Sequence, residues 1–211
     1  MQRFSIFFLT AMSLVLIAVF AVRPTSESVS DLPRVVAGKA GSLLSSAKPL
    51  SEFMLLDQDG DSFGNQQLQG QWTLLFMGFS SCNHFCPPTM YKLGLLKDEL
   101  AAELLEYDDA PIEVLFVSVD PGRDSLVVLN EYIIPYGAGF TAITGEKEQL
   151  DSLVQGLNAT YSVNANPDDY RVDHSPTVYL LNPEGALVAL FTPPHRVEYM
   201  AADIRTVIAG L

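Results

Sequence analysis

Two mostly apolar runs, separated by one helical pattern, restrict the possible folds of this chain most strongly. Residues 72–79, WTLLFMGF, and residues 112–119, IEVLFVSV, are typical of strands buried on both faces of a sheet. Between them, leucines recur at helical spacing with charged residues in the intervening positions, which predicts an amphipathic helix over residues 88–106. The leucines are Leu93, Leu96, Leu100 and Leu104. Strand, helix and strand in this order indicate an α/β protein.

The remaining elements extend this pattern on both sides. We predict further strands over residues 53–56, 140–143, 176–181 and 186–191, and further helices over residues 125–134, 146–157 and 196–209. The last two strands are joined by Asn182-Pro183-Glu184-Gly185, which is a strong turn signal. This order of elements is that of the thioredoxin fold. We therefore predict a thioredoxin-like domain over residues 51–211, with a central mixed sheet and helices on both faces.

The amino-terminal part carries a long uncharged segment. Residues 4–22, FSIFFLTAMSLVLIAVFAV, lie between Arg3 and Arg23, and at about 1.5 Å per residue such a helix just spans roughly 30 Å of hydrocarbon. We predict a transmembrane anchor over residues 1–23, with a cleaved signal peptide as the alternative, although signal peptides usually have shorter apolar cores. Residues 24–50, rich in Ser, Ala, Gly and Pro, are predicted to be a flexible linker.

Whether the first segment is a transmembrane anchor or a cleaved signal peptide, it directs export of the domain that follows. We therefore expect a membrane-anchored protein whose soluble domain lies outside the cytoplasm, in the bacterial periplasm or an equivalent compartment. The chain is strongly acidic, with 25 Asp and Glu against 12 Lys and Arg and a formal net charge of −13. This balance argues against nucleic acid as a partner, because phosphate recognition needs a basic surface.

The two cysteines of the chain lie in FSSCNHFCPPTM, residues 79–90. Cys82 and Cys86 follow a predicted central strand and begin a predicted helix, whose amino end favours thiolate over thiol. Cysteines at this spacing can form a disulfide, act as a redox pair or hold one soft metal ion. A purely structural disulfide is the weakest of these interpretations, since such a small loop removes little entropy from the unfolded chain.

A metal site needs a third ligand, and the chain has three histidines. His174, in YRVDHSPTVYLL, precedes the last predicted hairpin, and in a thioredoxin-like fold this loop packs against the cysteine turn. The following Ser175-Pro176-Thr177 resembles the cis-proline element of thioredoxins. Two thiolates and an imidazole suit copper(I), copper(II) with a further ligand, or zinc. We expect His84 to be exposed and unbound, although it is an alternative ligand, and His195 to lie on the surface.

Three motifs together resemble the SCO/SenC family of copper-binding proteins: GFSSCNHFCP, FVSVDPGRDS and VDHSPTVYLLNPEG. They occur in the order and spacing of the family, and the resemblance covers roughly residues 50–209 as well as the anchor. It implies a thioredoxin-like copper metallochaperone that delivers copper to, or prepares, the dinuclear copper site of cytochrome c oxidase. The implied copper ligands are Cys82, Cys86 and His174.

The resemblance also implies partners: the copper-accepting subunit of the oxidase, with other copper chaperones or thiol reductases as further candidates. The alternative function is a membrane-tethered thiol–disulfide reductase that uses the Cys82/Cys86 pair in catalysis. A thiol peroxidase ranks last, because the cysteine motif lacks a clear Thr and Arg equivalent. The chain departs from the family at Asn83 and His84, where proline and an acidic residue are usual.

Three carboxylates lie near these motifs, and two of them have two interpretations. Asp120 follows the second buried strand, so it is expected at the sheet edge that carries the cysteine turn, where it tunes the site or forms part of a docking surface. Alternatively, Asp120 and Asp124 cap the next helix and pair with Arg123. Asp173, beside His174, has the same ambiguity.

Overall fold

The computed structural model describes residues 34–107 and 110–210. The strands are β1 (Val35–Ala37), β2 (Gly41–Lys48), β3 (Met54–Asp57), β4 (Ser62–Gly64), β5 (Trp72–Gly78), β6 (Ile112–Ser118), β7 (Phe140–Thr144), β8 (Tyr161–Asn164), β9 (Arg171–His174), β10 (Val178–Leu181) and β11 (Leu187–Phe191). The α-helices are α1 (Cys86–Tyr107), α2 (Leu126–Ile133), α3 (Lys147–Gly156) and α4 (Val197–Ile208). Short 3-10 helices cover Asn65–Leu68 and Ile134–Tyr136.

Nine of the strands form one mixed sheet in the order β1-β2-β11-β10-β5-β6-β7-β3-β4. At its centre β5, β6 and β7 run parallel, because helical crossovers return the chain to the same end of the sheet. On either side, β10 pairs antiparallel with β5, and β3 pairs antiparallel with β7. The carboxyl ends of β5 and β6 therefore meet at one edge, where the cysteine turn and the Asp120 segment leave the sheet.

Helices cover both faces of this sheet, as predicted. Alternate residues of β5 point to opposite sides, so Leu74 and Phe76 belong to one core and Leu75 and Met77 to the other. The first core is closed by the predicted leucine face of α1, by α2 and by α4. The second core is closed by α3. The mixed α/β, thioredoxin-like architecture is confirmed.

Two parts of the architecture differ from the prediction. Residues 35–48 lie in the predicted flexible linker, yet they form β1 and β2 and belong to the same compact unit as the other elements. β2 pairs with β11 and buries Leu43 and Leu44, which accounts for its order. The second difference is the separate β8–β9 hairpin, which lies between α3 and β10.

The predicted membrane anchor, residues 1–23, lies outside the described residues. Among residues 34–107 and 110–210, no helix combines the length and the hydrophobicity that crossing a membrane requires.

Candidate metal and thiol site

The cysteine turn, residues 79–85, connects the central strand β5 to α1. Cys82 lies within the turn and is half-buried, whereas Cys86 is the first residue of α1 and is fully buried. The backbone N–H of Cys86 donates to Cys82 Sγ at 3.4 Å, so the two side chains are neighbours. Both are free thiols in the structure, and their pairing as a disulfide stays a prediction.

Gly78, the last residue of β5, makes room for the buried sulfur. A Cβ atom at this position would lie 2.8 Å from Cys86 Sγ and 2.7 Å from the Phe116 ring. Both distances are shorter than van der Waals contact, so any larger residue would push the thiol or the ring aside. The absence of a side chain at Gly78 therefore sets the depth at which Cys86 packs against the sheet.

The β8–β9 hairpin carries His174 to this turn. His174 ends β9 and lies opposite Tyr161 in the antiparallel ladder, and the Ser175 N–H closes the hairpin base by donating to the Thr160 carbonyl at 2.9 Å. His174 Nε2 lies 3.9 Å from Cys86 Sγ, although 88 positions separate the residues in sequence. The predicted approach of the imidazole to the cysteine turn is found in the structure.

The environment of His174 favours a neutral ring with a free nitrogen facing the thiol. Its Nδ1 lies 3.1 Å from the Ser175 carbonyl, which can only accept a hydrogen bond, so we assign the proton to Nδ1 and the lone pair to Nε2. The edges of Phe76 and Phe79 enclose the ring, with centroid distances of 5.9 and 6.0 Å. Burial lowers the pKa of His174, against smaller opposing effects of the Ser175 carbonyl and Asp173.

The two thiols differ in acidity. Burial of Cys82 opposes its ionisation, but hydrogen bonds from the Cys86 thiol and from backbone N–H groups of the turn outweigh it, so the pKa of Cys82 is lowered. The pKa of Cys86 is raised, first by burial and then by the neighbouring Cys82. The expectation that the helix amino end favours thiolate at both cysteines therefore fails for Cys86, where loss of hydration dominates.

The donor chemistry fits a soft metal ion, with one adjustment. With zinc bonds of about 2.3 Å to sulfur and about 2.1 Å to nitrogen, a sulfur and a nitrogen that bind the same ion lie at most ~4.4 Å apart. The 3.9 Å between Cys86 Sγ and His174 Nε2 lies within that limit. However, no three His, Cys, Asp or Glu side chains in the described parts of the chain are clustered as a complete metal site. Cys82, the half-buried member of the pair, would have to turn toward the other two donors.

Asp124 fastens the cysteine turn to the sheet. Its carboxylate is fully buried and accepts hydrogen bonds from the Ser80 N–H at 2.9 Å, the Ser80 hydroxyl at 2.5 Å and the Ser118 hydroxyl at 2.6 Å. Ser80 lies in the turn and Ser118 ends β6. The predicted capping role is not found for Asp124, because Ser125 is the N-cap of α2 and accepts from Val128 N–H. The sequence feature that could have pointed to this role of Asp124 is the position of a carboxylate just beyond the end of a central strand.

Comparison with known proteins identifies the family. The family model SCO1/SenC matches residues 43–209. The chain belongs to the SCO1/SenC family. The mouse mitochondrial SCO2 homolog is 32% identical over 162 residues, which are 75% of this chain and 62% of that protein. A SCO2-like protein of Rickettsia felis is 30% identical over 175 residues, covering 80% of this chain and 83% of that protein.

A solved SCO structure shares the architecture. The crystal structure of Arabidopsis thaliana ScoI with copper bound matches with a TM-score of 0.68 and 28% identity, covering 77% of this chain and all of that one. This SCO1/SenC chain spans between 50% and 62% of the length of the mitochondrial relatives from Arabidopsis, mouse and cattle.

In this SCO1/SenC protein Asp120 forms the predicted ion pair with Arg123. The carboxylate is 1% exposed, lies 2.6 Å from Arg123 Nε and accepts a hydrogen bond from the Tyr170 hydroxyl at 2.6 Å. The Arg123 guanidinium lies over the Tyr170 ring at 3.8 Å from its centroid, and 5.7 Å from the centroid of Phe79. Asp120 thus ties the β8–β9 hairpin to the sheet, while Asp173 is exposed.

The other two histidines of this SCO1/SenC protein differ from each other. His84 is exposed, as expected. The prediction that His195 lies on the surface is wrong: 4% of it is exposed, because its ring packs beneath the cysteine turn against Phe85. The comparison of Pro176 with the thioredoxin cis-proline is also wrong, since within the described residues only the Pro193–Pro194 bond is cis.

Proposed function

We propose that this chain is a copper metallochaperone that binds one copper ion through Cys82, Cys86 and His174. The observation that carries the proposal is the 3.9 Å approach of His174 Nε2 to Cys86 Sγ, since it joins donors from two distant segments. Membership of the SCO1/SenC family and the copper-bound state of the Arabidopsis ScoI crystal structure support copper as the cargo.

The three donors suit a reduced, transferable copper ion. Two thiolates and one neutral imidazole form a soft set that favours copper(I). Binding must displace a proton from Cys86, whose pKa is raised by burial, so copper affinity should rise with pH. Cys82 is the more exposed thiol and is the donor that an acceptor's ligand can replace first. Release of copper then proceeds by ligand exchange at the surface of the turn.

We further propose that the acceptor is the copper-accepting subunit of cytochrome c oxidase, whose dinuclear copper site the chain fills or prepares. Residues 4–22 would anchor the chain in the membrane beside that acceptor, with the acidic domain outside the cytoplasm. Other copper chaperones and thiol reductases remain candidate partners in loading the site and keeping its cysteines reduced.

Anaerobic titration of the reduced full-length chain with copper(I), against a chromophoric chelator, tests the ligand set. We expect one copper per chain, and a loss of affinity of at least about 10-fold in His174→Ala, because a direct ligand contributes at least as much as the groups that orient it. His84→Ala is the matched control, since it removes an exposed imidazole from the cysteine turn. Full copper retention in His174→Ala would reject His174 as a ligand.

The unequal thiols favour a second function, reduction of a partner disulfide. The Cys82 thiolate would attack one sulfur of that disulfide, forming a mixed disulfide and releasing the partner's first thiolate. Cys86 would then attack Cys82 Sγ, forming the Cys82–Cys86 disulfide and releasing the second thiol. The partner gains two electrons and the chain loses two, so a further thiol reductant must restore the pair.

Single substitutions distinguish this function from copper delivery. Cys82→Ser should abolish reduction of a model disulfide, and Cys86→Ser should trap the mixed disulfide for detection by mass spectrometry. His174→Ala should leave the reduction largely intact while copper binding is lost. Continued turnover in Cys82→Ser would end the reductase proposal without affecting the copper proposal.

A further inference from the structure

His195 is a buried histidine outside the proposed donor set. It lies between β11 and α4, and only 4% of it is exposed. Its Nε2 lies 3.2 Å from the Phe191 carbonyl, so the ring is held to the end of β11. β11 pairs on both sides, with β10 and β2, which makes this attachment point part of the rigid sheet.

The other side of the His195 ring faces two loops. The Phe85 ring meets it in an edge arrangement with centroids 6.2 Å apart. Phe85 directly precedes Cys86 in the cysteine turn. The Pro176 carbonyl, two residues after His174, also acts on the ring, since a hydrogen bond to it opposes the lowering of the pKa of His195 by burial. Phe85 in turn packs against Phe76, which the His174 ring also meets, at centroid distances of 6.2 and 5.9 Å. One anchored imidazole thus contacts both loops that carry the proposed donors.

A polar ring is an expensive choice for a purely space-filling role, because its nitrogens lose hydration on burial. Phe or Leu would fill the same volume without that cost. The hydrogen bond to the Phe191 carbonyl, however, fixes the orientation of the ring, which packing alone does not. The faces of the His195 ring that point toward Phe85 and Pro176 are then held in one position relative to the sheet.

We propose that His195 is a positioning residue that sets the separation between the cysteine turn and the His174 loop through its joint contact with Phe85 and Pro176. This inference rests on the proposed copper function, because the separation matters when Cys86 and His174 bind the same ion. His195 itself contributes no donor, since its Nε2 already bonds to the Phe191 carbonyl.

The test compares His195→Phe with His195→Gln in the full-length chain. The Phe variant keeps an aromatic ring but loses the hydrogen bond, whereas the Gln side chain can restore a donor near the position of Nε2. We expect a copper(I) affinity about 10-fold lower in His195→Phe, the usual effect of removing a group that orients a ligand, with substantial recovery in His195→Gln. The copper(II) form of the Phe variant should show an altered thiolate absorption band and electron paramagnetic resonance spectrum.

Failure of the proposed function and failure of this inference give different results. Wild-type chain that binds no copper would overturn the proposed function, and this inference with it. Wild-type binding together with unchanged affinity and spectra in a folded His195→Phe chain would overturn this inference alone. If His195→Phe does not fold, Phe85→Leu removes the same contact from the opposite side. Phe85→Leu should then show the altered spectrum, and an unchanged spectrum and affinity would refute the positioning role.

Discussion

Substitution of Asp124 should weaken both the stability of the domain and the order of the cysteine turn. The carboxylate accepts three hydrogen bonds, from the Ser80 N–H, the Ser80 hydroxyl and the Ser118 hydroxyl. In Asp124→Ala the Ser118 hydroxyl loses its acceptor in a fully buried position, which costs about 1–3 kcal/mol. Ser80 is half-buried and can turn to water, so its two lost bonds cost less.

The buried charge offsets part of this loss, because alanine removes the unfavourable desolvation of the carboxylate. We expect a net decrease of about 2–4 kcal/mol in the free energy of unfolding of Asp124→Ala. Urea unfolding can be followed by the fluorescence of Trp72, the single tryptophan, which is buried at the start of β5. Asp98→Ala is the matched control, since its side chain is 77% exposed and its loss should stay within about 0.5 kcal/mol.

A double-mutant cycle tests whether Asp124 acts through the turn. If the carboxylate holds Ser80, the effects of Ser80→Ala and Asp124→Ala should be less than additive by about 1 kcal/mol or more. Purely additive effects, or an Asp124→Ala loss no larger than that of Asp98→Ala, would refute the view that this carboxylate fastens the cysteine turn to β6.

Three other outcomes are expected. Gly78→Ala should destabilise the domain by about 1–3 kcal/mol in urea unfolding, because the added Cβ crowds Cys86 Sγ and the Phe116 ring. Iodoacetamide should alkylate Cys82 before Cys86 at neutral pH, as read by peptide mass spectrometry, and the reverse order would contradict the assigned acidities. Burial lowers the pKa of His195 below its ordinary value of about 6.5, so the unfolded chain binds more protons in that range and stability falls as pH drops below about 6.5. Wild type should lose more stability than His195→Gln between pH 7 and pH 5, and equal slopes in denaturation at each pH would refute that contribution.

The order of elements was predictable because apolar patterning records burial directly. Residues 72–79 and 112–119 match β5 and β6 to within one residue, and the four predicted leucines of α1 are all buried. The β2 strand was not predictable in the same way. Its sequence, GSLLSSAK, is mostly small and polar, and it is ordered by pairing with β11, which lies far away in sequence. Non-local pairing of this kind leaves little local signal.

The same distinction explains the site. The approach of His174 to Cys86 followed from topology, since the loop before β10 and the end of β5 meet wherever these strands are neighbours. The burial of His195 and the role of Asp124 depend instead on how the loops pack against one another. The spacing of residues along the chain does not reveal that packing. The unequal acidity of the thiols is also a tertiary property, because it arises from the depth of Cys86 beside Gly78 rather than from the four-residue spacing.

This inequality links the two proposed functions. A buried thiol with a raised pKa holds its proton until a strong competitor, such as a soft metal ion or an adjacent mixed disulfide, makes its loss favourable. A half-buried thiol with a lowered pKa is available first to either kind of partner. Under both proposals the chain would engage copper or a disulfide first at Cys82 and complete the reaction at Cys86. His174 would separate the two functions, because its imidazole is needed only for the metal.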